Sequence, residues 1–257
     1  MTEVVEINKR DRVESLEKGL KIIEAFSDIN QRLSPSTAAR RTGINRTAAR
    51  RHLLTLKHLG YLESDGQMYW LTPQILRLGW SYVESAKLPK TVQPFLQRIS
   101  ASLSAEAYFS VLDQNDLVVV SRSGFMKEHH SNVMVGARAC ARHFAAGLVL
   151  MAQRTDREID QWLEKDKPFI ALTAHTYQTS GQIKGKIQET RQFGYCLLEQ
   201  QVENNARSMS VLVRNSESKV VGAISVHMSM SYETQKEACK RVLPVLEETM
   251  QFLQAVL

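Results

Sequence analysis

The sequence predicts an α+β chain, and three observations carry that assignment. Between Ser15 and Leu59 apolar residues recur at spacings of three and four, the period of helices. Asp65-Gly66 lies between two runs that alternate apolar and polar residues, a strong signal for a tight hairpin. Beyond Pro89, strand-like runs are linked mostly as hairpins and mixed with helical stretches, as in an antiparallel sheet packed with helices. At 257 residues the chain can bury a proper core, in one large domain or two modest ones.

Residues 1–13 are polar, charged and without period, and are expected to be disordered. The first helix carries Leu16, Leu20, Ile23 and Phe26 on one face, and Asp28 to Arg32 breaks it. Ser34-Pro35 starts the second, with a capping hydroxyl followed by proline at the first helical position. Gly43 ends that helix. Asn45 caps the next, which runs to about Leu59 and stops at Gly60. In "YLESDGQMYWLT" the Asp-Gly pair predicts a type I′ turn, which needs φ > 0 at both central residues. Pro73 to Ala86 reads as a further helix with Ile75, Leu76, Trp80 and Val83 apolar, closed by Pro89. Val92, Phe95, Leu96, Ile99 and Leu103 mark an amphipathic helix. Strands are expected at "AYFSVLD", "LVVVSRSG", "SNVMVG", "SMSVLVRN" and "VVGAISVHM". Further helices are expected at about 144–153, 156–164, 180–193 and from Tyr232 onward.

Helix, short helix, glycine turn, helix and hairpin together form a winged helix-turn-helix. On the third helix Ala49, Leu53 and Leu56 share the core-facing arc, while Thr47 and Arg51 lie opposite, flanked by Arg46 and Arg50. Arg40, Arg41, Arg46, Arg50, Arg51 and Lys57 stand in one stretch without an acid. A charge cluster is often only a solvated helix face. Here one sign of charge, the two-helix turn and the wing agree independently on double-stranded DNA. A helix fits the major groove with its N-terminal residues against base edges; arginine can donate two hydrogen bonds to guanine, and threonine can touch a thymine methyl. Ser36, Asn45 and the helix N-termini can hold phosphates. The candidate DNA-binding residues are Ser36, Asn45, Arg46, Thr47, Arg50 and Arg51.

Composition narrows the alternatives. Apolar residues make up 43% and the net charge is +6, compatible with a nucleic-acid partner but not diagnostic of one. The charged N-terminus lacks the apolar core of a signal peptide, and no apolar run is long enough to span a membrane, so a cytoplasmic location is expected. The three cysteines, Cys140, Cys196 and Cys239, are far apart and make no metal-ligand pattern; neither metal nor cofactor is expected. Cys140 with His143 is the one pair that suggests catalysis, and no nucleophile, zinc or phosphate-loop motif surrounds it, so no enzymatic activity is expected.

"SLEKGLKIIEAF", "LSPSTAARRTGINRTAARRHLLTLKHLGYL" and "LTPQILRLGWSY" resemble the N-terminal domain of the IclR family of bacterial transcriptional regulators, and most of all its branch controlling aromatic-acid catabolism. "VLDQNDLVVVSR", "VGARACARHFAAGLVLMA", "TRQFGYCLLEQQVENNARSMSVLVRN" and "VVGAISVH" continue the resemblance in order, over about residues 14–257. It implies a DNA-binding domain at 14–72, a linker helix at 73–88 and a GAF-like effector-binding domain at 89–257. It also implies a homodimer or homotetramer on an operator, and an effector that is a small aromatic carboxylate or, alternatively, an aliphatic organic acid.

By the same resemblance the effector site falls on Ala145, Ala146 and Gly147, on Leu198 or Glu199, on Ser208, and on Ser225 and His227. Ser225 and His227, two apart on a strand, face one side. Arg207 adds a cation next to Ser208. Arg138, Arg142 and His143 precede a helix start at Phe144, a favourable place for an anion. The chain departs from the family pattern at Cys140-Ala141-Arg142-His143-Phe144, at Asn204-Asn205-Ala206-Arg207-Ser208 and at His227, which implies a pocket of altered size and polarity.

Overall fold

The computed structural model describes residues 7–8, 10–27, 29–124, 133–230 and 233–257. Most of the segment expected to be disordered, 1–13, lies outside them. The chain divides into two compact units, with the boundary between Ser85 and Ala86.

The first unit holds α1 (Glu14–Glu24), α2 (Pro35–Thr42), α3 (Arg46–His58), β1 (Leu62–Ser64), β2 (Tyr69–Leu71), a 3-10 turn (Pro73–Ile75) and α4 (Leu76–Ser85). The capping chemistry is as the sequence reads. Ser34 accepts from the Thr37 amide at 3.2 Å, and Asn45 accepts from the Ala48 amide at 2.8 Å. Gly43, in the left-handed region at φ 69°, turns the chain between α2 and α3. Ile22, Leu33, Ala49, Leu53 and Leu62 close the core. The hairpin differs from the expected two-residue type I′ turn. Four residues, 65–68, join the strands, and only Gly66 has positive φ there (100°). Asp65 stabilises this wider loop by accepting from the amides of Met68 at 2.8 Å and Gln67 at 3.0 Å, a local bond that competes with the tighter turn.

The second unit begins with α5 (Lys87–Leu103). Pro89 does not close the preceding helix as expected. It sits buried in the first turn of α5, where its missing amide has no intrahelical acceptor to lose. There follow β3 (Glu106–Asp113), β4 (Asp116–Ser123), β5 (Arg138–Cys140), a 3-10 turn (Ala141–His143), α6 (Ala145–Met151), α7 (Asp156–Lys165), α8 (Ser180–Phe193), β6 (Tyr195–Glu199), β7 (Ala206–Arg214), β8 (Val220–Ser229) and α9 (Gln235–Val256). The expected strand "SNVMVG" lies partly outside the described residues. Its remainder is not a strand, and the ladder forms instead at Arg138–Cys140. Strand β6 is not among the strands read from residue pattern, although the family resemblance implies one at Leu198 or Glu199. Tyr232 also lies outside the described residues, and α9 starts from a Thr234–Glu237 capping box. Among the described residues, no helix is long and apolar enough to cross a membrane.

The six strands form one antiparallel sheet in the order β5-β4-β3-β8-β7-β6. Side chains alternate across it, so β3, β4, β6, β7 and β8 each serve two cores. Ala107, Phe109, Met209, Val211, Ile224 and Val226 meet α5 and α9 on one face. Cys196, Leu198 and Ala223 meet α6, α7 and α8 on the other. Gly222 marks a close approach: a Cβ there would lie 2.4 Å from the Phe109 ring and 2.8 Å from the Ser110 carbonyl oxygen. Gly222→Val should therefore force Phe109 out of its site and lower stability by ~1–3 kcal/mol, the usual range for overpacking. Urea unfolding followed by circular dichroism checks this, and an unchanged midpoint would contradict it.

Candidate functional site

On α3, the apolar arc of Ala49, Leu53 and Leu56 is buried, which leaves Arg46, Thr47, Arg50 and Arg51 exposed on the opposite side. Asn45 and Ser36 are exposed at the starts of α3 and α2. Among the described residues, none of Arg40, Arg41, Arg46, Arg50, Arg51 and Lys57 makes an ion pair. The wing, by contrast, is internally neutralised: Arg32 lies 3.8 Å from Asp65 and stacks over Trp70, whose indole donates to Glu63 at 3.2 Å. The positive surface of this unit is thus unbalanced on α2 and α3, where a polyanion can replace the absent acids.

In the second unit the strand register assembles a polar strip on the face toward α6. Two neighbouring rows cross the sheet. One contains Leu198, Ser208, His227 and Glu106, and the other Cys196, Ser210, Ser225, Tyr108 and Arg122. Glu106, Tyr108, Ser210 and Ser225 are buried. Ser210 donates to the Ile224 carbonyl at 2.7 Å, and the Tyr108 hydroxyl donates to Glu106 Oε2 at 2.5 Å. Burial, then that bond, pushes the Tyr108 hydroxyl well above the usual phenol range. His227 meets the Tyr108 ring edge-on, with centroids 4.9 Å apart. Ser208, Ser225 and His227 are therefore brought together, and Ala145 and Ala146 are buried at the start of α6, which packs on the same face.

The expected cations do not join them. Arg207 and Ser208 are consecutive on a strand, so they point to opposite faces. Arg207 pairs with Glu199 at 2.7 Å and donates to the Glu233 and Thr234 carbonyls at 3.3 and 3.4 Å, which fastens β7 to the start of α9. Arg207, buried, and Glu199, half-buried, thus form a tie on the far face rather than a pocket wall. Arg138 is exposed and held by Asp113 at 2.6 Å and Asp116 at 3.1 Å, at the turn end of the β3–β4 hairpin. Arg142 is buried against Asp166 at 2.5 Å and lies over Phe169, so its charge is already matched. His143 is buried as well. Its desolvation, followed by the nearby Arg142 charge, lowers its pKa and favours the neutral ring. The helix start expected at Phe144 is realised as a 3-10 turn followed by α6, only seven residues long.

The sequence reading missed Glu106, Tyr108 and Arg122. The signal is present in the alternation of Glu106, Tyr108 and Ser110 with Ala107, Phe109 and Val111, but which face of the sheet these residues share depends on pairing with distant strands. The suspected Cys140 nucleophile is ill suited to that role. Its thiol donates to Asp166 at 3.1 Å, and burial, then that bond, pushes it up to about 11, away from the reactive thiolate.

Comparison with known proteins agrees with this architecture. Residues 15–66 match the IclR helix-turn-helix domain, and residues 80–254 match the C-terminal domain of bacterial transcriptional regulators of the IclR type. The p-hydroxybenzoate hydroxylase transcriptional activator of Acinetobacter baylyi is 36% identical over 251 residues, 95% of this chain and 92% of its own. The Pca operon regulatory protein of the same organism is 32% identical over 255 residues, 98% of this chain and 91% of its own. A crystal structure of an IclR homolog complexed with 4-hydroxybenzoate, from Microbacterium hydrocarbonoxydans, superposes with a TM-score of 0.75 at 17% identity, covering 93% of this chain and 97% of that one. With a matched reader domain, a matched sensor domain and relatives aligned over nearly the whole length, the chain belongs to the IclR family of bacterial transcriptional regulators.

Proposed function

We propose that this regulator acts in the cytoplasm as a homo-oligomer that reads the operator of a catabolic operon through α3 and responds to a small aromatic carboxylate. The observation that carries the effector reading is the buried polar strip of β3, β7 and β8, in a sheet whose other face is mainly apolar around Phe109. The names of the two Acinetobacter relatives and the 4-hydroxybenzoate of the Microbacterium homolog favour an aromatic acid. Ser208, Ser225 and His227 supply the hydrogen-bonding groups, and the buried alanines of α6 supply a flat apolar wall suited to a ring. Such a ligand acts on DNA only by binding the DNA-competent and incompetent arrangements unequally. A sensing role is supported by the match to the family's C-terminal domain, and the raised Cys140 thiol gives no support to a catalytic one. A calorimetric screen of aromatic and small aliphatic carboxylates tests it: binding by aliphatic acids alone would move the effector class.

Three outcomes are expected. Arg46→Ala and Arg50→Ala should each weaken operator binding by ~1–3 kcal/mol if they donate to base edges, measured by anisotropy at fixed salt. Wild-type affinity in both would remove α3 as the reading helix.

Helix α4 buries none of its described residues, and Trp80 on it is 61% exposed. Trp80→Glu should weaken self-association or operator binding, since an apolar surface of this kind is normally covered by a partner, here a second copy. Ultracentrifugation showing an unchanged oligomer, with unchanged DNA affinity, would contradict it.

Ser225→Ala or His227→Ala should raise the effector's half-saturation by about one to two decades, the value of one charge-assisted hydrogen bond. Calorimetry with the best-binding carboxylate decides it, with ligand-free DNA binding as a folding control. Two variants that bind as wild type would place the pocket elsewhere in the domain.

A further inference from the structure

Glu106 is only 3% exposed, and its two carboxyl oxygens have different fates. Oε2 accepts from the Tyr108 hydroxyl at 2.5 Å. Oε1 is buried and accepts no hydrogen bond from any described residue; the nearest cation, Arg122, stands 3.7 Å away, beyond hydrogen-bond reach. Arg122 is itself engaged, donating to the Val133 carbonyl at 3.2 Å and lying 5.8 Å from the centre of the Tyr108 ring. A buried acceptor without a donor is costly, and native proteins rarely leave one without a reason. The register supplies the reason. Glu106 pairs directly with His227, and His227 pairs directly with Ser208, so all three side chains rise from the same face in one row. Neighbouring strands are ~4.8 Å apart, so Ser208 and Glu106 stand about 10 Å apart across β8. One aromatic ring with a polar group at each end spans that distance.

We propose that Glu106 Oε1 accepts a hydrogen bond from a ring hydroxyl of the effector, so that the sensor distinguishes hydroxyaromatic acids from aromatic acids lacking that donor. The inference rests on the aromatic-carboxylate reading and adds the effector's orientation. A carboxylate brought against Glu106 meets another carboxyl group, and the nearest cation, Arg122, already faces Oε1 at 3.7 Å, so the acid end lies toward Ser208 and His227 and the hydroxyl end toward β3. The bond forms without proton transfer: the effector hydroxyl donates and Oε1 accepts. Tyr108 holds Oε2, which fixes the carboxyl plane and presents Oε1 to the ligand.

The test is calorimetry on the full chain with 4-hydroxybenzoate and 4-fluorobenzoate, ligands of similar size of which only the first carries the donor. The wild type is expected to prefer 4-hydroxybenzoate by roughly ten- to a hundred-fold. Glu106→Gln keeps the shape with a weaker, neutral acceptor and should cut that ratio about tenfold. Glu106→Leu should bring it close to one; if that variant fails to melt cooperatively, the glutamine variant alone decides. An unchanged ratio in the glutamine variant overturns the inference while the aromatic-carboxylate reading stands. Equal weakening of both ligands assigns Glu106 a merely structural role, and equal tightening puts the carboxylate beside residue 106; either also overturns it. A wild type that binds both acids without preference does the same. A wild type that binds neither acid overturns the aromatic-carboxylate reading itself.

Discussion

The second unit depends on one constraint: its six-stranded sheet is covered on both faces, so no side of it is available for ordinary solvation. In a half-exposed antiparallel sheet, alternate residues can be polar at little cost because water meets them. Here every polar side chain at an inner position must find a partner within the protein or on a ligand. The Arg207–Glu199 pair solves the problem on the face of α9, with backbone carbonyls taking the remaining donors. Ser210 solves it by donating to Ile224. On the face of α6, the strip from Ser208 to Arg122 is satisfied only in part, and this remainder makes it the chemically distinctive region of the domain.

The helical unit works under the opposite condition. Its core is narrow, and burial of Ala49, Leu53 and Leu56 leaves the arginines of α3 no inner face to occupy. The cations remain in water, at little electrostatic cost until a polyanion arrives. Two local devices aim them. The left-handed turn at Gly43 sets the change of direction between α2 and α3, and the Asn45 cap fixes where α3 begins. The residues just after that cap are those that reach a groove first.

Charge neutralisation separates the groups suited to binding from those that hold the fold together. Arg138, Arg142 and Arg207 each lie within 3.2 Å of an acidic oxygen, and each joins two segments distant in sequence. Such pairs act as ties, and removing one partner from a buried tie leaves an uncompensated charge. The arginines of α3 tie nothing among the described residues. Arg138, Arg142 and Arg207 are thus committed elsewhere, while hydroxyls, a histidine, a glutamate and Arg122 meet on the strip.

The sequence by itself determined whatever depends on a few consecutive residues. Capping residues placed the starts of α2 and α3, because their hydrogen bonds close inside one turn. The apolar period located the core face of α3 and so the exposed arc that carries its arginines. Only the tertiary structure decided what depends on register. Short strands such as β5 and β6 carry too little pattern to be read alone, and their identity comes from the ladders that hold them. Arg207 and Ser208 are neighbours in the chain and strangers in the fold, because successive strand residues face opposite ways. Glu106 and His227 are far apart in the chain and adjacent in the sheet, because β3 and β8 pair at its centre. Local hydrogen bonding writes the helices into the sequence, whereas the polar strip exists only once distant strands are set side by side.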